Sequence, residues 1–437
     1  MTIHSLRLFL PVLVCVFGLA AQPVDDTQLK QVIVFGRHNV RSPVAPSGVL
    51  NTFSVQDYPD FGVGPLPGIL TPNGEKLETI LGGYYRLWLT DEGLLTGNDS
   101  ADASFVFFHA NAIQRTVDSA QHFWAGFLPA APANVQSLTP TTAIDPLFNP
   151  VGAGVALLDS RMAIAAVNGR VGGNLQLLAS AWAPEIALTR SVLLNYPASE
   201  TPAPAAPANQ FDVTAIPFAV TAGTGGAPVD LGGLTDVALA IDPFLMEYAD
   251  GLPAGWGQLT ADGVSQTSRV PNLVLDLEFR TPYLDRVQSS NLASHIVRSM
   301  VQSATGNTLT GSLGNPSTKV IVLIASDTDI TGLAGLFHLD WLLPGYQKDF
   351  CSPGGALVLQ LRQSQNTGEY IVRASYVGQT LDQLRNLTPL TLAAPPPSAP
   401  VFIPGCSAGN ATFDCPLGTF VKLANQAIDP HSADLMN

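Results

Sequence analysis

Positive charge is scarce in this chain. Lysine and arginine together number 20 in 437 residues, against 34 aspartates and glutamates, for a formal net charge of −14. So few cations exclude the broad basic face that a phosphate backbone demands of a nucleic-acid-binding protein. They argue equally against attachment to anionic lipid. Charged residues of both signs are only 12 % of the chain, while glycine and proline number 39 and 35. That is the neutral, loop-rich surface of an exported protein more than of a cytosolic one. Beyond the N-terminus no segment is long and apolar enough to span a bilayer. What is abundant is apolar side chain, at 46 %, enough for a sizeable core and incompatible with wholesale disorder. The length allows two compact domains, or one large domain with an insertion.

His4 and Arg7 begin a weakly basic N-terminus, Leu8 to Leu19 is apolar, and "GLAAQ" offers small residues for cleavage. Residues 1–21 therefore read as an export signal. Cys15 lies within it, leaving Cys351, Cys406 and Cys415. In an oxidising compartment Cys406 and Cys415 could close a short surface loop, stabilising by about 2–3 kcal/mol. Cys351 is then an odd thiol, more often buried than catalytic in an exported protein.

Three stretches share one grammar, an apolar strand followed by polar or charged residues and then a helix. The first is "QVIVF", followed by Arg37, His38, Asn39 and Arg41. In the second, "SFVFFHANAIQRT", a strand from Ser104 to His109 leads to Arg115 and a helix whose apolar residues recur at Val117, Ala120, Trp124, Phe127 and Leu128. The third, "TKVIVLIASDTDITGLAGLF", ends its strand at Ser326 and Asp327. Open α/β sheets form ligand sites beyond the carboxyl ends of their strands, and all three segments deliver their charged residues there. Residues 145–272, rich in Ala, Gly and Pro, read as an inserted and mainly helical domain containing the flexible, low-complexity connection "ASETPAPAAPANQ". The α/β domain would then comprise residues 22–144 and 273–437. After Cys351, "GGALVLQLRQ" and "EYIVRASYVG" alternate about a turn as an antiparallel hairpin.

Arg37, Arg41 and Arg115 could fork onto the oxygens of a phosphate monoester and stay charged at any working pH. A helix beginning near Arg115 adds backbone N–H donors. Within such a clamp a neutral His38 is a competent nucleophile, and cationic neighbours hold its pKa down. Asp327 can give the leaving alkoxide its proton and later serve as the base for hydrolysis of the phosphohistidine.

"RHNVRSP", residues 37–43, closely resembles the RHGxRxP signature of histidine acid phosphatases, and its Asn is most similar to the periplasmic glucose-1-phosphatases, with phytases a step further away. "LTPNGEKLETILGGYYRLWL", "ANAIQRTVDSAQHF", "DPLFNPV", "PGGALVLQL" and "YVGQTLDQLRNLTPLTL" extend the likeness from about Gln31 to Asn425, most weakly over residues 150–240. The spacing of Cys406 and Cys415 matches too. The resemblance implies a mixed central sheet flanked by helices, with an inserted helical cap. It places Arg37, Arg41 and Arg115 on the phosphate, His38 as nucleophile and Asp327 as proton donor, with no metal and no cofactor. "FLMEYADGLPAGWG" resembles the cap segment that faces the sugar, which makes Glu247, Asp250 and Trp256 the substrate-side residues.

One departure stands out. The family writes His-Asp where this chain has Ser326-Asp327. Losing one charge-assisted donor costs roughly 3–4 kcal/mol, or about 10²–10³ in rate. Ser326 can still donate one neutral bond, and Asp329 adds a second carboxylate beside Asp327. Taken alone, Asp327 would be the N-cap of a helix beginning near Thr331. His109 is either a satisfied strand-end histidine or a partial substitute for the missing one. The His338–Asp340 pair reads as a packed helix end and not as a metal pair, and His122 as structural. The expectation is thus an exported, metal-independent acid phosphatase, periplasmic or secreted, monomer or homodimer, acting on small sugar phosphates such as glucose 1-phosphate. The alternatives are a phytase, or a weakened homologue that binds sugar phosphates without turning them over.

Overall fold

The computed structural model describes residues 25–434, residue 225 excepted. The export signal expected at residues 1–21 lies outside the described residues. Ten strands are present among those described: β1 (Thr27–Arg37), β2 (Val106–Ala110), β3 (Val135–Gln136), β4 (Phe218–Ala222), β5 (Val229–Gly232), β6 (Val320–Ala325), β7 (Ala356–Ser364), β8 (Tyr370–Val377), β9 (Ser398–Val401) and β10 (Cys415–Pro416). Eight form one mixed sheet in the order β10-β8-β7-β1-β6-β2-β3, with β9 also pairing β8. β1, β6 and β2 are parallel neighbours, with Arg37 opposite Ala325 and Ala110 opposite Ile324. β7 turns the sheet antiparallel on the other side of β1, and β8 completes the expected hairpin.

The central strands read as unbroken apolar runs because both faces are covered. Alternate residues of β1 serve two cores. Val32 and Val34 join Leu81, Tyr85, Phe123, Trp124 and Phe127 on one face. Ile33 and Phe35 join Leu292, Ile296, Ile330 and Leu333 on the other. The first face is covered by the helices Pro72–Asp91 and Gln114–Phe127. Thr71 caps the former through Gly74 N–H, with Pro72 in the first turn, where its missing N–H costs nothing.

Residues 145–272 hold the helices Ser160–Arg170, Leu177–Ala181, Ala183–Leu193, Gly233–Ala249 and Ala261–Thr267, together with the hairpin of β4 and β5. Their apolar faces (Ile186, Leu231, Ile241, Phe244) run into the same core as Ile33 and Phe35. The boundary expected at 272/273 falls inside the helix Arg269–Phe279. The low-complexity connection is tied down from below. Arg190 pairs with Asp212 at 2.7 Å and donates to the Pro204 carbonyl at 2.8 Å and the Tyr196 hydroxyl at 3.0 Å.

Candidate active site

Backbone hydrogen bonds lock the carboxyl ends of the three parallel strands together. His38 N–H donates to the Ala325 carbonyl at 2.9 Å, Asn111 N–H to the Ile324 carbonyl at 3.0 Å, and Arg37 N–H to the Gly355 carbonyl at 2.9 Å. The loops that follow therefore converge. His38 is 2 % exposed. Its Nδ1 lies 2.8 Å from the Asn39 carbonyl oxygen, and since a carbonyl can only accept, Nδ1 carries the proton and Nε2 is left as the free lone pair. Burial, then the charges of Arg115, Arg37 and Arg41, push its pKa well below the ordinary imidazole value, so the ring stays neutral in mild acid.

Each arginine reaches this histidine by a different route. Arg37 donates to the Cys351 carbonyl at 2.6 Å and pairs with Asp327 at 2.8 Å. Arg41 forks onto Asp242, with Nη1 to Oδ2 at 2.9 Å and Nη2 to Oδ1 at 2.7 Å. Arg115 stands in the first turn of the helix Gln114–Phe127. Burial and the neighbouring arginines bring its pKa down to about 10, still a cation at any working pH. The Nε–H groups of Arg37, Arg41 and Arg115 are all buried without an acceptor in the protein. Unpaired donors are costly in an interior, and three around one imidazole describe a place built for an anion.

Asp327 is the first residue of the helix Asp327–Leu336, which corrects both the start expected near Thr331 and the cap. The N-cap is Ser326, whose backbone N–H is accepted by Asp329 Oδ2 at 3.0 Å. Asp329 is thus committed to the helix end, and burial lifts its pKa to about 7. Arg37, Asp242, Asp327 and Cys351 line a small cavity of about 40 Å³. Beyond Ser42 and Pro43 a larger pocket of about 470 Å³ is lined by Asp57, Tyr58, Asp60 and Leu66.

None of the residues expected on the sugar side lines either pocket directly. Glu247 is in the core and accepts Gly255 N–H at 2.7 Å. Asp250 accepts the Thr71 hydroxyl at 2.6 Å. Trp256 packs on Tyr58, ring centres 5.0 Å apart, and its indole N–H donates to the Asp57 carbonyl at 2.9 Å. It therefore backs the larger pocket from behind Tyr58. The acid that the sequence reading missed is Asp242, on the helix Gly233–Ala249. His109 is satisfied by Asp145 at 2.7 Å between Phe107 and Phe148. His122 stands 3.7 Å from Glu75, and Asp340 pairs with Arg280 and Lys348. Cys351 is a buried free thiol whose carbonyl, not its sulfur, serves Arg37, and Cys406 and Cys415 form a disulfide.

Residues 28–178 match the model of the histidine phosphatase superfamily, branch 2. Over 419 residues, 94 % of both chains, the protein is 29 % identical to phytase AppA of Escherichia coli. It is 27 % identical to the glucose-1-phosphatase of Salmonella typhimurium, covering 92 % of this chain and 93 % of the other. The solved phytase of Hafnia alvei, in complex with tartrate, superposes with a TM-score of 0.82 at 30 % identity, covering 94 % of this chain and 99 % of that one. Fold, site and relatives agree: the chain belongs to the histidine phosphatase superfamily, branch 2, and is a histidine acid phosphatase.

Proposed function

We propose that the protein hydrolyses small phosphomonoesters, sugar phosphates such as glucose 1-phosphate among them, through a phosphohistidine at His38. The observation that carries this reading is the buried, neutral His38 ringed by three guanidinium groups whose Nε–H donors have no protein acceptor. An arriving phosphate competes with Asp327 for Arg37 and with Asp242 for Arg41. It thereby takes up the clamp and frees Asp327, which takes the proton of the monoanionic ester. His38 Nε2 attacks phosphorus in line with the ester oxygen, Asp327 protonates the departing alkoxide, and a water activated by the same carboxylate releases phosphate from the imidazole. Residues 145–272 act as a cap, contributing Asp242 to the rim. The export signal read in residues 1–21 and the Cys406–Cys415 disulfide support a periplasmic or secreted location. Among the described residues no helix is long and apolar enough to cross a membrane.

The phytases among the relatives favour a second reading, with inositol phosphates as substrates. Against it stand Asp242 in the small cavity and Asp57 and Asp60 in the larger pocket, which repel a substrate carrying many phosphates. Ser326 supports a third, binding without turnover. Assays of p-nitrophenyl phosphate at about pH 4–6 with wild type, His38→Ala and Ser326→His separate these. Wild-type turnover should stand well above His38→Ala, and no difference between them would sink the enzyme reading. Ser326→His should gain roughly tenfold or more, recovering part of the missing donor.

A further inference from the structure

Asn39, the residue after His38, is completely buried, and every part of it touches the catalytic loop or its supports. Its carbonyl receives His38 Nδ1 at 2.8 Å, its Oδ1 accepts Val40 N–H at 2.9 Å, and its own N–H donates to Ser119 Oγ at 3.2 Å. The Gly354 turn sits so close that a Cβ there would come within 2.4 Å of Asn39 Nδ2. Beneath the loop lies Glu78, 1 % exposed, beside both the Asn39 amide and the Ser119 hydroxyl. Glu78 Oε1 and Asn39 Nδ2, an acceptor and a donor, are each buried without a hydrogen-bond partner. The mechanism gives this carboxyl nothing to do.

We propose that Glu78 is a positioning residue: its carboxyl closes a ring with the Asn39 amide and the Ser119 hydroxyl, and through Asn39 fixes the carbonyl that sets the tautomer of His38. The inference rests on His38 being the nucleophile. A neutral acid suits this ring, since its carbonyl accepts from Asn39 Nδ2 while its O–H donates to Ser119 Oγ. Burial lifts the Glu78 pKa to about 8, so the proton is present in acid. The polar groups facing it are Asn39 from the loop, Ser119 from the helix Gln114–Phe127 and Tyr85 from its own helix. When the proton leaves, the donor to Ser119 is lost and an anion is left beneath the nucleophile.

The test compares wild type, Glu78→Leu and Glu78→Gln by turnover of p-nitrophenyl phosphate at about pH 5 and by ¹⁵N NMR of the His38 ring. Glu78→Leu should lower kcat about tenfold with KM within about twofold, because the clamp is intact and only the nucleophile is loosened. Its His38 should show mixed tautomers where wild type shows Nδ1–H alone. Glu78→Gln, which keeps a donor and an acceptor, should recover most of the loss in both measurements. A Glu78→Leu enzyme with wild-type kcat and a single His38 tautomer overturns the proposal, as does a Glu78→Gln no better than Glu78→Leu. Should Glu78→Leu fail to fold, a Glu78→Gln slower than about a tenth of wild type, or with mixed tautomers, overturns it instead. Absence of turnover in wild type would indict the function of His38, while the NMR comparison still decides the role of Glu78.

Discussion

Arg41 and Asp242 hold each other in a two-bonded fork at the rim of the small cavity. The pair keeps a guanidinium in place, and on the function proposed above its carboxylate repels the further phosphates of a large substrate. Asp242→Asn should therefore change the choice of substrate more than the chemistry. KM for inositol hexakisphosphate is expected to fall about tenfold relative to KM for p-nitrophenyl phosphate, with kcat lowered a few-fold as Arg41 loosens. Steady-state kinetics on both substrates check this, and an unchanged KM ratio would mean that Asp242 does not meet the substrate. This acid was hidden from sequence reading for a geometric reason. Arg37, His38 and Arg41 stand within five positions and announce themselves, but Asp242 is one of 34 acids. Glu247, the acid singled out on the same helix, lies five residues on, which at about 100° per residue is a different face. One face meets the site and the other meets Gly255 in the core.

The helices Pro72–Asp91 and Gln114–Phe127 show how an element can be legible while its packing is not. Helical spacing predicted the second, and the first was marked by the resemblance of its "LTPNG" segment to the family. Their closeness depends on two glycines: a Cβ on Gly82 would lie 2.0 Å from the Phe123 carbonyl oxygen, and one on Gly126 the same distance from that of Thr79. No side chain can yield there, because the obstacle is backbone. Gly82→Ala should force the helices apart and cost about 2–3 kcal/mol, read as a lower urea midpoint at unchanged slope. The strands were equally readable, since β1, β2 and β6 end in the polar residues that mark the sheet edge. The sharing of one core between residues 145–272 and the sheet was not, because composition marks a change of segment and says nothing about which faces meet.

At the scale of the molecule, buried carboxyls dominate the response to pH. Burial raises Glu78 and Glu278 to about 8, and Glu247, Asp285 and Asp329 to about 7. In the unfolded chain these groups titrate near 4. Between about pH 4 and 8 the unfolded chain has released protons that the fold still binds, so stability falls as pH rises through that window. His38 works in the other direction, because below about pH 6.5 the unfolded chain takes up a proton that the buried ring refuses. Asp212, lowered to about 2 chiefly by its bond to Arg190, contributes stability that is lost below about pH 4. Five groups against one place the maximum at the acid end of that window, near about pH 4. Thermal melting should occur several degrees higher at about pH 5 than at about pH 8, and a flat profile would contradict this balance.

The order of the sheet also dictates when the protein can become itself. β1 ends at Arg37, yet its two neighbours, β6 and β7, begin only at Val320 and Ala356. Until Val320 has been made, the strand that leads into His38 has neither neighbour to pair with, and the helix that begins at Asp327 does not exist. Contacts so distant along the chain form slowly. The site thus cannot assemble before β6 and the helix after it have been made, and hydrolysis begins only then.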